Sequence, residues 1–377
     1  MSLFEILKVA DAAMIALLSL LIWLYLFFAH GKFWQSAPEL PPAAPQEYPD
    51  VDIVVPARDE AYTIGRVIGS LLAQDYGGRF RVILVDDNST DDTAAQVGTA
   101  TNLTIITLQI KPEDWSGKLW ALSQGVAASN APLLLFTDAD IVHDPRHLSS
   151  LVAKLVQSNL ELVSEMVRLN CTSLAERALV PAFVYFFQML YPFNRVNDPL
   201  SSVAAAAGGT VLIRREALQR SGGIDAIKNS LIDDVALATS VKKSGSIFLG
   251  HSGLAASIRP YANFADIWHM ISRTAFTQLR HSTALLALTL LALTLLWLVP
   301  AAAVLFGHGG QFALGLVAFG LSAISYLPTL ARYERNRLWA FALPLIALFY
   351  MAATFGSALN YWRGRGAHWK SRAYGTG

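Results

Sequence analysis

The sequence predicts an α/β domain, built on a mostly parallel sheet flanked by helices, together with helices that cross a membrane. Short apolar runs alternate with segments of helical periodicity between about residues 50 and 270, which is typical of such a sheet. Several of these runs end in acidic residues. The composition, 54% hydrophobic and only 15% charged, is too apolar for a soluble enzyme and predicts membrane segments.

Three stretches without Asp, Glu, Lys or Arg predict the membrane helices. They are Ala12–Ala29, Ser282–Ala331 with a turn at "GHGGQ", and Leu338–Trp362. Each span needs about 20 apolar residues, so we expect one N-terminal and two to three C-terminal helices. A cleaved signal peptide is the alternative for the first stretch, but no small-residue cleavage site follows it.

The predicted organisation has five parts. A proline-rich linker, "APELPPAAPQEYP", favours extended chain and suits a spacer between an anchor and a domain. The parts are an anchor (1–30), the linker (31–49), the α/β domain (50–281), C-terminal membrane helices (282–361) and a basic tail (362–377).

The elements of the domain follow from the hydrophobic pattern. The run "VDIVVPA" (51–57) predicts the first strand, and Ile64, Val67, Ile68, Leu71 and Leu72 then repeat at helical spacing. Further predicted strands are 80–87, 103–108, 132–140 and 160–167, and further predicted helices are 88–97, 117–129 and 145–158.

Two acidic pairs, Asp86–Asp87 and Asp138–Asp140, follow predicted strands. Ligands of parallel sheets bind beyond the carboxyl ends of the strands. Asp and Asn at strand ends also serve as turn formers and helix caps, and Asp91 and Asp92 fit that structural role. Carboxylate pairs at one sheet edge repel each other unless a cation or hydrogen-bond donors lie between them. A hard divalent cation, Mg²⁺ or Mn²⁺, suits such ligands and would bind a diphosphate as well.

Several classes of protein are excluded or disfavoured. The chain has neither GxxxxGK[ST] nor GxGxxG, which argues against a P-loop nucleotidase and a Rossmann dinucleotide enzyme. The lone Cys171 excludes an internal disulfide and a multi-thiolate metal site. A net charge of +1 without a basic stripe gives no indication of a nucleic-acid partner.

The ordered motifs resemble those of family 2 glycosyltransferases, inverting enzymes with a GT-A fold. The resemblance spans residues 51–281 and rests on "VVPARDE", "VDDNSTDDT", "SGKLWALSQG", "TDAD", "AAGGTVLIRREAL", "IDDVALA" and "RTAFTQLRH". Within that family the membrane layout is similar to that of the hopanoid biosynthesis-associated glycosyltransferases and, more distantly, of ceramide glucosyltransferases.

The resemblance implies a donor site for a UDP-sugar. Asp138 and Asp140 match the DXD motif, which implies that Asp140, together with Asp138, binds the metal, with Asp138 nearer the sugar or ribose. Lys118 would offset phosphate charge, although an ordinary solvated lysine is the alternative. The other nucleotide-sugar residues implied are Pro56, Ala57, Arg58, Glu60, Asp86, Asp87 and Gly117.

The resemblance also implies the acceptor side. Asp234 would be the general base that deprotonates the acceptor hydroxyl, beside Asp233 where relatives have glutamate; a helix-cap pair is the alternative. Gly208 and Gly209 would let a sugar approach the backbone, or they serve packing alone.

A last motif departs from the family pattern. Relatives often carry Gln-x-x-Arg-Trp beside the membrane. Here Gln278 and Arg280 stand at shorter spacing, with His281 in place of tryptophan. Arg280 and Arg273 would bind the diphosphate or acceptor, or they would anchor the next span as positive-inside residues.

The functional prediction is an integral membrane enzyme, with its catalytic domain facing the cytoplasm from the inner membrane, that transfers a sugar from UDP to a lipid hydroxyl. The aromatic segment 181–193 would lie at the membrane interface or in the core. Basic residues on both sides of 338–361 leave open whether that segment spans the bilayer or is re-entrant. The alternatives are transfer to polyprenyl phosphate and a non-catalytic scaffold that binds lipid or nucleotide.

Overall fold

The computed structural model describes residues 3–35, 38–364, 368–369 and 372–373. Within them the chain forms two compact units. An α/β unit comprises residues 38–170, 195–260, 368–369 and 372–373, and a helical unit comprises 3–35, 171–194 and 261–364. The predicted boundaries of the five parts remain a prediction.

The α/β unit is built on one mixed eight-stranded sheet in the order β3-β2-β1-β4-β7-β6-β8-β5. Strands β1 to β4 run parallel, β7 is antiparallel to both β4 and β6, β6 is parallel to β8, and β5 is antiparallel to β8. The predicted fold class is therefore confirmed. The strands are β1 (Val51–Ala57), β2 (Phe80–Asp86), β3 (Leu103–Thr107), β4 (Leu133–Thr137), β5 (Ile141–His143), β6 (Leu162–Arg168), β7 (Thr210–Arg214) and β8 (Ile247–Ser257), with a two-residue pair, β9 (His368–Trp369) and β10 (Arg372–Ala373).

The two units together contain the following α-helices, given in the order of the sequence. They are α1 (Leu3–Phe28), α2 (Ile64–Leu72), α3 (Gly117–Ala127), α4 (His147–Gln157), α5 (Leu174–Leu190), α6 (Phe193–Asn197), α7 (Arg215–Arg220), α8 (Asp233–Lys242), α9 (Phe264–Gln278), α10 (Thr283–Leu293), α11 (Val299–Phe306), α12 (Gly309–Arg332) and α13 (Leu343–Trp362). Short 3-10 helices cover Ala94–Gln96, Ile224–Ile227 and Arg337–Ala342, and a π-helical turn covers Thr294–Leu298.

The sheet is covered by helices whose apolar spacing matches the helical period. In α2, residues Ile64, Val67, Ile68 and Leu71 are buried and join the same core as the inward-facing residues of β1. Ser116 caps the N-terminus of α3, since its hydroxyl accepts a hydrogen bond from the backbone N–H of Leu119 at 3.2 Å. These helices fix the positions of the loops that follow the strands.

The predicted helix at 88–97 is largely absent, because only Ala94–Gln96 forms a single 3-10 turn. Side chains in this segment bind the neighbouring loop after β1 instead. Asp59 accepts a hydrogen bond from the backbone N–H of Thr90 at 2.7 Å, and the N–H of Glu60 donates to the Thr93 hydroxyl at 2.8 Å. Asp, Ser and Thr residues that bind backbone groups in this way compete with helix formation.

The helical unit contains four helices that are long and apolar enough to cross a membrane, by length and composition. They are Asp11–Phe28 within α1, Thr283–Phe306, Gly309–Arg332 and Arg337–Trp362. This confirms the one N-terminal helix and gives three at the C-terminal side. Trp23 of α1 donates a hydrogen bond to the Leu296 carbonyl at 2.6 Å, so the first and second candidate spans are in contact.

Candidate active site

Acidic side chains from two separate segments converge on one lysine. The ammonium of Lys118, in the first turn of α3, lies 3.0 Å from Asp138 Oδ1 and 3.1 Å from Asp233 Oδ2. Asp138 directly follows β4, and Asp233 begins α8. Asp138, Asp233, Asp234 and Lys118 line one pocket together with Gly208. The fold therefore joins the strand-end motif with the second acidic motif, 95 residues further along the sequence.

The electrostatics of this pocket depend on its burial. Burial and the nearby charges of Asp140 and Asp233 raise the pKa of Asp138, against the effect of Lys118. Burial acts against the charged form of Lys118, but the surrounding carboxylates outweigh it and raise the pKa of Lys118 well above its ordinary value. The lysine is therefore a fixed positive charge among the acids.

Asp234 is the carboxylate whose pKa comes close to neutrality. Burial first, and then the charge of Asp233, raise the pKa of Asp234 to about 7, while Lys118 acts in the opposite direction. The backbone N–H groups of Gly208 and Val235 donate hydrogen bonds to its carboxylate. A carboxylate with such a pKa in a pocket is suited to accept a proton near neutral pH.

Gly208 approaches this carboxylate closely. A Cβ atom at position 208 would lie 3.3 Å from both Asp234 Oδ2 and Lys118 Nζ. The absence of a side chain therefore lets the backbone of Gly208 lie close to Asp234 and Lys118, while the approach of a sugar to this backbone stays a prediction.

A second ionic cluster holds Asp140. The guanidinium of Arg259, two residues beyond β8, lies 2.5 Å from Asp140 Oδ2 and 2.6 Å from Glu60 Oε1. The two carboxylates raise the pKa of Arg259 although its burial acts against the charged form. Glu60 is thus joined to the DXD turn through an arginine that the sequence analysis did not identify.

The donor set of the DXD turn fits a divalent cation. Asp138 and Asp140 supply hard carboxylate oxygens, with one oxygen of each in an ion pair. Among residues 3–35 and 38–364, no group of three or more His, Cys, Asp and Glu side chains is arranged to hold a metal. Mg²⁺ and Mn²⁺ are often held by one or two carboxylates plus substrate phosphates and water, so two aspartates suffice.

The loops after β1 and β2 are bound to each other. Arg58 is buried and donates hydrogen bonds to the backbone carbonyls of Asp87 and Asn88, the latter at 2.8 Å. Asp86 accepts hydrogen bonds from the backbone and hydroxyl of Ser89, the former at 3.2 Å. The N–H of Asp87 donates to the Ala57 carbonyl at 2.9 Å. The guanidinium of Arg58 thus joins the two loops.

The remaining predicted residues lie in different places. Pro56 lines the pocket of Lys118, and Ala57 ends β1. Gly117 is buried at the start of α3. Arg273, Gln278 and Arg280 belong to the helical unit, where the Gln278 amide donates to the Tyr191 hydroxyl.

Sequence reasoning missed two sets of residues. Arg259 stands in "AASIRP", where the only signal is a charged residue directly after an apolar strand. A buried cluster behind the DXD turn, formed by Thr137, His143, His147 and Glu165, was missed as well. His143 ends β5 and His147, four residues later, begins α4. This spacing gave no signal in the sequence because Glu165, which His147 contacts, lies on β6.

Comparison with known proteins defines the class. Residues 52–222 match the sequence model described as Glycosyl transferase family 2. This segment is therefore similar to family 2 glycosyltransferases, and the α/β unit that contains most of it has a GT-A-like fold. The resemblance predicted from the motifs is confirmed at this level.

Relatives are similar over limited parts of the chain. Succinoglycan biosynthesis protein ExoU from Rhizobium meliloti is 32% identical over 105 residues, which is 28% of this chain and 30% of that protein. Dodecaprenyl-phosphate galacturonate synthase from Rhizobium johnstonii is 27% identical over 117 residues, 30% of this chain and 35% of that protein. The matches thus span about a third of each relative's length.

A solved structure is similar over nearly the whole chain. The mannosyltransferase PcManGT from Pyrobaculum calidifontis, in complex with GDP-Man and Mn²⁺, has a TM-score of 0.57 at 18% identity. The match covers 92% of this chain and 99% of that one. At this identity the likeness shows the fold alone.

Proposed function

We propose that the protein is a membrane-bound inverting glycosyltransferase that moves a sugar from a UDP-sugar to a lipid hydroxyl. The observation that carries the proposal is the pocket in which Asp138, after β4, and the Asp233–Asp234 pair of α8 line one space around Lys118. A donor diphosphate needs positive charge and hard-cation ligands, and an acceptor hydroxyl needs a base. The pocket offers residues for each of these requirements.

On the donor side, Asp138 and Asp140 would hold Mg²⁺ or Mn²⁺. The ion would neutralise the diphosphate and stabilise it as a leaving group. Lys118 would add positive charge on the other side of Asp138. Pro56, Ala57 and Gly117 would border the nucleotide, together with the joined loops that carry Arg58, Asp86 and Asp87.

On the acceptor side, Asp234 would be the general base. Its raised pKa of about 7 keeps a useful proton affinity while leaving a large deprotonated fraction at neutral pH. Asp233 contributes to that raised pKa through its like charge. Inverting transfer needs such a base on the face of the sugar opposite the leaving diphosphate.

The acceptor class is proposed from the membrane helices. Four helices long and apolar enough to cross a bilayer would keep the chain at the membrane, where a lipid acceptor lies. The similarity of "WSGKLWALSQG" and "RTAFTQLRHS" to the hopanoid-associated branch makes a hopanoid one acceptor to test. Gln278, Arg273 and Arg280 are proposed to contact the diphosphate or the acceptor. UDP-sugars are cytosolic, which supports a catalytic domain on the cytoplasmic side of the inner membrane.

A second candidate is sugar transfer to polyprenyl phosphate. It is favoured by the similarity to a dodecaprenyl-phosphate galacturonate synthase. Such an acceptor is already ionised, so a base matters less. Loss of activity on replacing Asp234 by asparagine therefore separates the two candidates.

The test uses the full chain in lipid nanodiscs with Mn²⁺ or Mg²⁺ and a panel of UDP-sugars, with GDP-mannose included. Nucleotide release is followed with hopanoid, ceramide-like and polyprenyl-phosphate acceptors. The proposal predicts acceptor-dependent release that Asp234→Asn abolishes and that the exposed-residue control Asp225→Asn leaves unchanged. Release only with polyprenyl phosphate, insensitive to Asp234→Asn, would replace it by the second candidate. Donor binding without any turnover would favour a scaffold.

A further inference from the structure

A chain of four buried polar side chains lies directly behind the DXD turn. Thr137 Oγ1 is 3.0 Å from His143 Nε2, the two Nδ1 atoms of His143 and His147 are 2.8 Å apart, and His147 Nε2 is 2.6 Å from Glu165 Oε2. All four residues are buried, with His143 the most exposed at 6%. They come from four elements, namely β4, β5, α4 and β6.

The hydrogen-bond partners of these four side chains determine which atom donates and which accepts in each contact. The Thr137 hydroxyl donates its one proton to the Gly209 carbonyl at 2.8 Å. It must therefore accept from His143, whose Nε2 carries a proton. The short Nδ1–Nδ1 contact requires that one ring donates and the other accepts, so one proton lies between the two histidines.

The position of the proton between His147 and Glu165 remains to be assigned. If His143 is neutral, its Nδ1 accepts from the Nδ1–H of His147, and a single proton is then shared between His147 Nε2 and Glu165 Oε2. If the His147 Nδ1 proton moves to His143 Nδ1 and the shared proton moves fully onto His147 Nε2, the imidazolium charge lies on His143 and every hydrogen bond is kept. Burial first, and then His147, lower the pKa of His143 well below its ordinary value, which favours the proton at the Glu165 end.

The series of four hydrogen-bonded side chains ends beside the residues of the candidate active site. Thr137 is the last residue of β4, and His143 is the last of β5, so their contact closes the turn that carries Asp138 and Asp140. The Gly209 carbonyl that Thr137 binds is adjacent to Gly208, whose N–H donates to Asp234. The four side chains are thus connected to both sides of the pocket, through the contact of Thr137 with Gly209 and the covalent backbone between Gly209 and Gly208.

We propose that Thr137, His143, His147 and Glu165 form a proton-sharing relay of positioning residues, which holds the DXD turn in the geometry that binds metal and donor. The proposal rests on the proposed donor role of Asp138 and Asp140. The three contacts of the network favour one arrangement of its side chains, and removal of one member leaves a buried neighbour unpaired.

The first test compares three variants by Mn²⁺-dependent UDP binding in calorimetry. Thr137→Val removes the hydroxyl but keeps the shape, and Thr137→Ser restores it. Thr210→Val is the matched control, because the buried Thr210 hydroxyl donates to the same Gly209 carbonyl at 2.8 Å and belongs to no part of the relay. Thr137→Val removes the hydrogen bonds to Gly209 and to His143, whereas Thr210→Val removes only a hydrogen bond to Gly209. We expect Thr137→Val to weaken UDP binding about tenfold because the His143 Nε2–H is left unpaired, with Thr137→Ser and Thr210→Val near wild type. Equal binding by Thr137→Val and Thr210→Val would overturn the positioning role.

The second test measures the shared proton directly, by NMR of protein labelled with ¹⁵N in histidine. We expect low-field imidazole protons from the histidine–histidine and histidine–glutamate contacts. In Glu165→Gln the amide would donate to His147 Nε2, so the second signal disappears while UDP affinity stays within about twofold because the geometry is kept. Unchanged spectra in Glu165→Gln would refute proton sharing. These spectra do not depend on turnover, so failure of the relay is distinguishable from failure of the proposed function, which would appear as wild-type protein that neither binds UDP-sugar nor transfers.

Discussion

Replacing Asp233 by asparagine is expected to shift the acidic limb of the rate profile to lower pH. Asp234 must be deprotonated to act as a base, and its pKa of about 7 means that activity rises with pH through neutrality. Part of that elevation comes from the charge of Asp233, which the amide removes. The pKa of Asp234 therefore falls, and the base is available at lower pH.

The magnitude follows from the causes of the shift. The pKa of Asp234 moves from 3.8 to about 7, with burial as the largest cause and the charge of Asp233 next. The Asp233→Asn substitution leaves the burial in place and removes the second cause of the elevation, so we expect a shift of roughly one pH unit. The amide oxygen of the new side chain could still accept a hydrogen bond from Lys118, whose wild-type distance to Asp233 Oδ2 is 3.1 Å.

The assay is kcat/KM for donor turnover between about pH 5.5 and 9, because this parameter reports the free enzyme. Each rate is measured at saturating Mn²⁺, so that the pH dependence reports the protonation of the base and not the pH dependence of metal binding. Asp225→Asn is the matched control, since it removes an exposed carboxylate from the 3-10 helix Ile224–Ile227, which also contributes to the pocket lining. A limb that stays in place or moves to higher pH in Asp233→Asn would refute the assignment of Asp234 as the base.

Three further variants test other parts of the site. Lys118→Met should lower kcat/KM by about a hundredfold or more, since it leaves carboxylates unpaired. It should also move the acidic limb of the rate profile, which reports Asp234, to higher pH. Lys118→Arg keeps the positive charge and should retain more activity, and wild-type rates in Lys118→Met would show that this charge is not needed. Arg259→Met should lower the melting temperature, because the carboxylates that Arg259 pairs lose their cation, and Mn²⁺ should raise that temperature more in the variant than in wild type if Asp140 is a ligand. Gly125→Ala should destabilise the α/β unit by about 1–3 kcal/mol in denaturant unfolding, because its Cβ would collide with a β1 valine; unchanged stability would mean that α3 can move away from the sheet.

Local pattern was sufficient for most elements of the α/β unit. The strand predicted at 51–57 is β1, and the helix predicted at 117–129 is α3, Gly117–Ala127. Continuous apolar runs and helical spacing predict these elements, because strands and helices with those patterns bury their apolar side chains when they pack in a sheet or against it. The prediction failed at 88–97, where the deciding hydrogen bonds come from a loop about 30 residues earlier in the chain.

The class of the domain, the apolar helices and the acidic motifs at the strand ends could all be predicted from the order of the residues. The pairing of the charged groups could not, because it depends on the fold. The fold brings Lys118 between Asp138 and Asp233, and it pairs Arg259 with Asp140 across 119 residues. These pairings depend on mixed strand order, which places β8 and α8 beside elements far away in the chain. Hydrophobic periodicity encodes which face of an element is buried but carries no information on which charged groups the fold brings within hydrogen-bond distance.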